Sequence, residues 1–344
     1  MTKVFVGMSG GVDSSLSAAL LKEQGYDVTG VYMKNWTQDL PGMKCPWADD
    51  LADAKRVAVQ LSIDFKVFDF ETEYRDKVVG YMIDEYKAGR TPNPDIMCNQ
   101  EVKFKLFLET SLEQGADMIA TGHYARTENG KLLQARDDNK DQTYFLYRVT
   151  KEALSKSLFP LGNFTKPEVR QMAEERGLTT AGKKESMGIC FVGQIGIREF
   201  LSQYVETVPG DIVDKQAGKV LGRHDGAIFY TLGQRHGLDL GGGLPYYVVG
   251  KDMSQNVVYV SQNIQDEDIW RRLITVSDIH WIGERLDSTA ELQVRIRHRA
   301  PLVSARLLGD TLELNEPQRA VTPGQSVVLY HGDECVGGAI VVAA

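Results

Sequence analysis

The sequence predicts an α/β amino-terminal domain built on a parallel sheet, then a small central domain and a carboxyl-terminal antiparallel β-barrel. Short apolar strand patterns alternate with amphipathic helical patterns over the first half of the chain. From about Phe200, glycine-rich segments and short alternating strands replace the long helices. The 344 residues also exceed what one hydrophobic core usually organises. We therefore expect domains at residues 1–199, 200–268 and 269–344.

The elements of the amino-terminal domain come in the order that a parallel sheet requires. The patterns predict strands and helices alternately over Val4–Met8, Ser14–Gln24, Val28–Met33, Asp49–Leu61 and Lys66–Phe70, and then a helix over Tyr74–Ala88. The prolines in Thr91–Asp95 predict a loop, and Met118–His123 predicts a strand that ends in a turn.

The second half of the chain is patterned for antiparallel sheets. Gly233–Gly243 is rich in glycine, and Val257–Val260 predicts a short strand. Polar and apolar residues alternate over Glu291–Arg297, and the tail ends in the apolar run Ala339–Val342. The alternation and the apolar tail predict a small antiparallel barrel at the carboxyl end.

Composition excludes several classes of protein. The chain has 42% hydrophobic and 25% charged residues, and no apolar run reaches membrane-spanning length. A strand pattern begins at Val4 and leaves no room for a signal segment, so we expect a cytoplasmic protein without membrane association. The net charge of -8 argues against a uniformly basic nucleic-acid binder, so any RNA contact must come from local patches.

A glycine turn, Ser9–Ser14 with the sequence SGGVDS, joins the first strand to the first helix. Glycines allow close backbone approach, and free N–H groups and hydroxyls at a helix start can hold phosphate oxygens. A capped tight turn would explain only one glycine and one capping residue. The turn lacks the Gly-Lys-Ser/Thr ending of a Walker loop and the dinucleotide-binding glycine spacing. It resembles the pyrophosphate-binding loop of the N-type ATP pyrophosphatases, the PP-loop superfamily.

The four cysteines, at 45, 98, 190 and 335, show no paired spacing typical of a zinc site or a disulfide framework. We expect Cys335, in an apolar strand pattern, to be a core residue, and we assign no role to Cys45. Cys98 and Cys190 lie in the distinctive segments Thr91–Asn99 and Glu185–Phe191. A reactive thiol needs positive surroundings, and these two have nearby lysines, which are Lys103, Lys105, Lys183 and Lys184.

Together with the glycine turn, these two segments resemble the tRNA-specific 2-thiouridylases, the MnmA family. The resemblance covers nearly the whole chain and includes Thr121–Tyr124, Asp141–Tyr144, Tyr230–Arg235 and Arg295–Arg297. It implies an adenine nucleotide alpha hydrolase-like first domain and ATP-dependent 2-thiolation of the wobble uridine in tRNAs for Lys, Glu and Gln. In that reaction the uridine O2 is adenylated, and sulfur arrives from a cysteine persulfide as AMP and pyrophosphate are released.

The resemblance also implies a role for individual residues. Cys190 would carry the persulfide, Cys98 would close a disulfide with it as sulfur leaves, and Asp95 would act as general acid or base if enclosure raises its pKa. The implied ATP contacts are Gly7, Met8, Ser9, Gly10, Gly11, Val12, Asp13, Ser14, Met33 and Gly122. The implied tRNA contacts are Asn93, Pro94, Asp95, His123, Lys140, Asp141, Gln142, Arg297, His298 and Gln325.

Several partners follow from the same resemblance. Magnesium is expected with ATP, although the sequence names no ligands for it. The sulfur donor would be a cysteine desulfurase, acting directly or through a carrier, and the chain would be monomeric apart from its tRNA. Arg295, Arg297, His298 and Arg299 form a basic cluster that could meet RNA or be a solvated strand face. At His298 the family pattern leads us to expect an aromatic residue.

Two other functions remain open from the sequence. Another PP-loop enzyme that works through an adenylate, such as a tRNA lysidine synthetase or an amidating ligase, would need no paired thiols. A catalytically silent RNA-binding protein could keep the ATP loop, but the retention of Asp13, Asp95 and both motif cysteines argues against it.

Overall fold

The computed structural model describes most of the chain. The described residues are 1–39, 45–184, 196–241, 243–263, 265, 269–287 and 290–343.

The amino-terminal domain contains a five-stranded parallel sheet in the order β3-β2-β1-β4-β7. Its strands are β1 (Lys3–Gly7), β2 (Asp27–Lys34), β3 (Asp64–Asp69), β4 (Met118–Ala120) and β7 (Ser157–Leu158). Val4, Phe5 and Val6 of β1 are completely buried because helices cover both faces of the sheet. The predicted parallel sheet is therefore confirmed.

Most helices of this domain lie between its strands in the chain, and the last two follow the final strand. The helices are α1 (Val12–Glu23), α2 (Trp47–Gln60), α3 (Glu71–Tyr74), α4 (Gly80–Lys87), α5 (Pro94–Met97), α6 (Phe107–Glu113), α7 (Thr143–Leu146), α8 (Lys151–Ser155), α9 (Lys166–Glu175) and α10 (Ile197–Leu201). Two π-helices, Arg75–Val79 and Cys98–Leu106, continue α3 into α4 and α5 into α6. The helix predicted over Tyr74–Ala88 therefore contains a π-helical turn.

The loop predicted over Thr91–Asp95 is wrong at its carboxyl end. Asn93 caps a helix by accepting a hydrogen bond from Asp95 N at 3.2 Å, and Pro94 is the first residue of α5. Proline suits this position because its φ is helical and its missing N–H would have no partner there. Asp95 consequently lies in the first turn of a helix.

The central domain is a four-stranded sheet in the order β10-β11-β8-β9. Its strands are β8 (Gly210–Asp214), β9 (Val220–His224), β10 (Tyr247–Asp252) and β11 (Val257–Ser261), with a 3-10 turn at Ala227–Phe229. Ile212, Val248, Val258 and Val260 pack with Tyr230 into a core of its own.

The carboxyl-terminal domain is the predicted antiparallel barrel. Its strands are β12 (Trp270–Trp281), β13 (Leu292–Arg295), β14 (Val303–Leu308), β15 (Thr311–Arg319), β16 (Ser326–His331) and β17 (Glu334–Ala343). The order β12-β15-β14-β13-β16-β17 closes because β12 also pairs with β17. Completely buried side chains such as Val294, Leu312 and Val327 fill the interior.

One part of the barrel wall comes from the amino-terminal domain. The hairpin β5 (Arg126–Glu128) and β6 (Lys131–Leu133) adds to β17 through the register pairs Leu133 with Glu334 and Leu132 with Cys335. The fold class is confirmed, but the sequence patterns do not predict this hairpin, because each strand has only three residues. The domain boundaries at 199/200 and 268/269 stay a prediction. No described helix is both long and apolar enough to cross a membrane.

Candidate active site

The glycine turn lies at the topological switch point of the parallel sheet, where the strand order reverses. β1 and β4 are neighbours, but the chain leaves β1 towards β2 and reaches β4 only after β3. The loops that follow β1 and β4 therefore meet at the carboxyl ends of adjacent strands, where open α/β sheets bind ligands. Residues 8–11 form the first loop, and residues 121–123 begin the second.

Three predicted nucleotide contacts are glycines where a side chain would collide. Gly10 has φ 73°, and a Cβ there would lie 2.3 Å from the carbonyl oxygen of Asp50. A Cβ on Gly122 would lie 2.8 Å from Ser14 N, and one on Gly7 would lie 2.9 Å from the methyl carbon of Met33. The sequence therefore uses glycine to bring the two loops and the strand ends into contact.

The hydroxyl groups of the turn face each other at the start of α1. Ser9 Oγ and Ser14 Oγ are 3.3 Å apart, and Ser14 Oγ also accepts a hydrogen bond from Ser9 N at 3.1 Å. Met8 and Val12 are buried in the core, so contacts from them and from Gly11 would come from the backbone. This arrangement of a helix start and two hydroxyls suits an anion.

Asp13 is fixed by two residues that sequence reasoning missed. Lys166 Nζ donates hydrogen bonds to both carboxylate oxygens of Asp13, at 2.7 and 2.8 Å, and the hydroxyl of Tyr124 donates to Oδ1 at 2.9 Å. Lys166 is the first residue of α9, and it is only 8% exposed. The only sequence signal was a lysine followed by a proline at a capped helix start.

A second lysine forms ion pairs beside the glycine turn. Lys183 Nζ lies 2.7 Å from a carboxylate oxygen of Asp50 and 2.6 Å from one of Asp53. Burial lowers the pKa of Lys183, but its bonds to the two carboxylates outweigh burial and raise it above the ordinary value. The positive charge expected from Lys183 near Cys190 is therefore neutralised. Cys190 itself lies outside the described residues.

Asp95 and Cys98 share a helical face. Asp95 lies in the first turn of α5, three residues before Cys98, which begins the π-helix Cys98–Leu106. Phe107 N donates to Val102 O, five residues back, and the same spacing places Lys103 one turn above Cys98. Burial raises the pKa of Asp95, and the charge of Lys103 opposes that shift. Cys98 is 5% exposed.

His123 is buried rather than open to solvent. Its Nδ1 is 2.8 Å from Thr121 Oγ1, and its ring lies 5.7 Å from that of Phe104 and 6.3 Å from that of Phe159, centroid to centroid. Burial lowers the pKa of His123 well below its ordinary value, and Lys103 lowers it further. Contact of this side chain with tRNA stays a prediction, and in this conformation the imidazole is a neutral core group.

Asp141 and Arg295 form a buried ion pair. Arg295 Nη1 is 3.0 Å from Asp141 Oδ2, and the side chains are 10% and 1% exposed. Asp141 also accepts hydrogen bonds from Thr143 Oγ1 at 2.7 Å and Ala135 N at 3.0 Å. The two charges expected near RNA thus join the amino-terminal domain to the barrel. Contact of Asp141 with tRNA stays a prediction.

The neighbours of Asp141 have more open positions. Gln142 and Tyr124 form two hydrogen bonds, each at 2.9 Å. Gln142 N donates to Tyr124 O, and Tyr124 N donates to Gln142 Oε1. Lys140 is half-buried in the turn that begins at Asp137. Their contacts with tRNA stay predictions.

Arg297, His298 and Gln325 are half-buried at the barrel end that faces this turn. The ring of His298 lies 4.6 Å from that of Phe145. Burial, together with the charge of Arg299, lowers the pKa of His298 to about 4. Arg297 Nη2 donates to the carbonyl of Ala320. Contact of these three residues with tRNA stays a prediction.

Short contacts bring the separate motifs together. Asn99 Nδ2 donates to Phe145 O at 3.0 Å, and Phe145 contacts His298. Thr91 N donates to Pro323 O at 2.9 Å, next to the loop that carries Gln325. The segment 93–99 therefore lies between the nucleotide loops and the barrel end.

The remaining cysteines are buried. Cys335 is completely buried, and burial raises the pKa of its thiol far above the ordinary value, so it is the core residue that its strand pattern predicts. Cys45 is also buried, and its Sγ lies 3.6 Å from Trp36 O. Among the described residues, no group of three or more His, Cys, Asp and Glu side chains could hold a metal ion.

Comparison with known families matches the chain along almost its whole length. Residues 2–194 match a family described as "tRNA methyl transferase HUP domain", and residues 198–262 match "tRNA methyl transferase PRC-barrel domain". Residues 271–341 match "Aminomethyltransferase beta-barrel domain". The three matches follow the three sheets in order.

Similar full-length proteins carry a more specific name. A tRNA-specific 2-thiouridylase MnmA of Geobacillus thermodenitrificans is 49% identical over 98% of this chain and 94% of its own length. Proteins of the same name from Bacillus cytotoxicus and Limosilactobacillus reuteri are 47% and 48% identical over 99% of this chain and 94% and 95% of theirs. Identity at this level over the full length shows the family. The chain belongs to the family of the tRNA-specific 2-thiouridylases.

Proposed function

We propose that this chain is an ATP-dependent tRNA-uridine 2-sulfurtransferase that acts on the wobble position. One junction carries the proposal. Gly122 lies against the glycine turn at Ser14, and the ring of the next residue, His123, lies 5.7 Å from that of Phe104 in the helix that begins at Cys98. A nucleotide loop and a cysteine helix therefore meet across two adjacent residues, as adenylation followed by sulfur transfer requires.

In the first step, the uridine O2 attacks the α-phosphorus of ATP. An O2-adenylated base forms, and pyrophosphate leaves. The glycine turn, from Gly7 to Ser14, would hold the phosphates with backbone N–H groups and the hydroxyls of Ser9 and Ser14. Met33 lies at the end of β2 and Gly122 follows β4, on either side of β1, where the adenosine would be placed.

In the second step, sulfur replaces the activated oxygen. The terminal sulfur of a Cys190 persulfide attacks C2 of the base, and AMP leaves. The Cys98 thiolate then attacks the Cys190 sulfur, which closes a Cys98–Cys190 disulfide and leaves both electrons of the broken S–S bond on the transferred sulfur. An external thiol reductant must reopen the disulfide before the next turnover. Lys103, one π-helical turn from Cys98, would favour the thiolate.

Asp95 is the candidate for proton transfer during these steps. Its pKa is raised towards neutral pH, and a carboxyl group whose pKa lies nearer the working pH is a better general acid or base. Asn93 and Pro94 hold Asp95 in the first helical turn, so they fix its position against an incoming base. The base would have to leave its stack to arrive there.

Magnesium is proposed as part of the ATP substrate. The described residues contain no cluster of metal ligands, and both carboxylate oxygens of Asp13 accept hydrogen bonds from Lys166. Mg²⁺ commonly keeps several waters and binds through substrate phosphates. It would therefore arrive on the triphosphate, where it offsets the negative charge.

The proposed partners follow from this reaction. Unmodified tRNAs for Lys, Glu and Gln would be the acceptors, bound along 93–95, 140–142, 297–298 and 325, with a monomeric chain working in the cytoplasm. A cysteine desulfurase, directly or through a carrier, would load Cys190. We keep residues 1–199, 200–268 and 269–344 as the proposed catalytic, central and tRNA-contacting domains. A lysidine synthetase or amidating ligase remains the alternative, but neither chemistry uses the cysteine pair.

The test is mass spectrometry of nucleosides from unmodified tRNA incubated with the chain, ATP, magnesium, a cysteine desulfurase with free cysteine as the persulfide source, and a thiol reductant. Wild type should form 2-thiouridine only with ATP, and Cys98→Ala and Cys190→Ala should lose it. Cys45→Ala is the matched control, because it removes a buried cysteine outside the proposed site. AMP formation without thiolation would leave an adenylating enzyme of another kind, and full activity in both cysteine variants would refute the sulfur-transfer steps.

A further inference from the structure

Two arginines lie at the seam between the barrel and the central domain. Arg319, the last residue of β15, places its guanidinium 4.8 Å from the ring centroid of Tyr247, the first residue of β10. Arg297 Nη2 donates to the carbonyl of Ala320, the residue that follows Arg319. The Arg297 guanidinium is thereby held next to the backbone that follows Arg319.

Their setting is close-packed. Ala320 has φ 53°, and a Cβ on Gly233 of the central domain would lie 2.6 Å from the Cβ of Ala320. The central domain and the barrel therefore approach each other at this point too closely for a larger residue than glycine at 233. The seam is a fixed frame for the two arginines.

Neither arginine has an acidic partner in the part of the chain that the structure describes. Arg319 Nε is buried and has no hydrogen-bond acceptor among those residues. The hydrogen bond to Ala320 O places the Arg297 guanidinium beside the residue that follows Arg319. Burial lowers the pKa of Arg297, Tyr144 opposes that shift, and the positive charge of Arg319 adds to it. Arg295, only two residues away, shows the usual solution, a buried carboxylate at 3.0 Å. Burying a charge without a counter-ion costs free energy, so an external anion that binds both half-buried cations would be stabilised here.

We infer that Arg297 and Arg319 together bind one phosphodiester group of the tRNA backbone at this seam. The inference rests on the proposed function, which supplies the RNA. A planar guanidinium donates paired hydrogen bonds to phosphate, and the Tyr247 ring fixes the plane of Arg319. The residue after Arg297, His298, has its ring 4.6 Å from that of Phe145, and Phe145 O accepts a hydrogen bond from Asn99, so the phosphate is held a short way from the cysteine helix. Arg319 is the new member of this site.

The test measures binding of unmodified tRNA to the full chain without ATP, at several potassium chloride concentrations. Arg319→Gln should weaken binding roughly five- to tenfold and reduce the slope of log Kd against log salt by about 1, the loss of one phosphate contact. Arg306→Gln is the matched control, since Arg306 is an exposed arginine of β14 that loses the same charge. Its slope should equal that of wild type.

Arg319→Lys serves as a second variant if Arg319→Gln melts at a lower temperature than wild type. It keeps the charge and should therefore keep the salt slope, while affinity falls to an intermediate value because the paired donors are lost. Equal slopes for Arg319→Gln, Arg306→Gln and wild type would overturn the inference while tRNA binding itself stands. A wild-type chain that does not bind tRNA at all would overturn the proposed function and this inference together.

Discussion

Lys166 Nζ lies 2.7 and 2.8 Å from the two carboxylate oxygens of Asp13, a residue 153 positions earlier in the chain. The start of α9 therefore holds the acidic residue of the glycine turn in place. Tyr124 supports the same carboxylate from the loop after β4, and the Lys166 ammonium lies 5.7 Å from the centroid of its ring. Three segments thus fix one side chain at the proposed phosphate site.

Lys166→Met should uncouple this arrangement. Loss of hydrogen bonds to a charged group should lower the free energy of unfolding by roughly 1–3 kcal/mol, and a freed Asp13 would repel the phosphates. We expect the KM for ATP to rise about tenfold, equivalent to about 1.4 kcal/mol. Steady-state kinetics and thermal unfolding measure both quantities. Lys156→Met, at an exposed lysine, should change neither. An unaltered KM in Lys166→Met would contradict the assignment.

Gly122→Ala tests the contact between the two loops. The added methyl would lie 2.8 Å from Ser14 N, so the glycine turn must shift and ATP binding should fall at least about tenfold. Gly182→Ala is the control, because a Cβ there meets no atom within 4 Å. Equilibrium binding of ATP to both variants decides the matter. Equal affinities would show that the turn does not need its present position.

Asp95→Asn should separate activity from stability. Thiolation should fall by roughly 10²-fold or more, as expected for loss of a general acid or base. Burial raises the folded-state pKa of Asp95 above the ordinary 3.8, so the ionised carboxylate destabilises the fold above that folded-state pKa. The variant should therefore melt at a higher temperature than wild type at pH 7, and the difference should shrink as the pH falls towards 3.8. A lower melting temperature at pH 7 would contradict the burial argument.

The sequence patterns predict the long strands better than the short elements that pair with them or follow them. β1 is an uninterrupted apolar run, and the barrel strands alternate, so periodicity finds both. The hairpin β5 and β6 escapes because three-residue strands carry no period and their partner β17 lies about 200 residues away, as the pair Lys131 with Glu334 shows. The sequence patterns do not predict the helix that begins at Pro94, because proline is more commonly taken as a sign of a loop.

The site is predictable where a motif is local. Gly10 and Gly122 are required by contacts that the glycine pattern indicates. The role of Lys166 is not predictable in this way, because its partner Asp13 is remote in sequence. Charge alone also misleads, since Arg295 looks like an RNA contact in the sequence but is buried against Asp141. Burial cannot be inferred from residue type when a charged pair spans two domains.

Arg295→Met should act on folding. Removing one member of a buried ion pair leaves the other uncompensated, at a cost of about 3–5 kcal/mol. Chemical unfolding should show this loss, whereas the salt slope of tRNA binding by the folded fraction should not change. Arg306→Met, at an exposed barrel position, should cost less than about 0.5 kcal/mol. A reduced salt slope in Arg295→Met would instead make Arg295 an RNA contact.

His298 should contribute a ring and no charge. Its pKa is lowered to about 4 by burial and then by Arg299, with Arg295 and Lys140 adding to the effect and Asp141 opposing it. The imidazole is therefore neutral above pH 5.5. His298→Phe should bind tRNA as tightly as wild type, with the same pH dependence between 5.5 and 8, while His298→Ala should weaken binding by roughly 1 kcal/mol through lost stacking. Binding by wild type that strengthens towards pH 5.5 relative to His298→Phe would refute this.

The hairpin β5 and β6 makes the barrel and the amino-terminal domain one inseparable unit. A chain shortened before Trp270 would keep the hairpin but lose β17, which leaves its edge strand open to pairing with other molecules. The same deletion would leave the Asp141 carboxylate without its counter-ion Arg295. The carboxyl-terminal third is thus no detachable RNA-binding module that can be exchanged between enzymes. Truncation there would produce aggregation, and limited proteolysis should release no folded amino-terminal fragment.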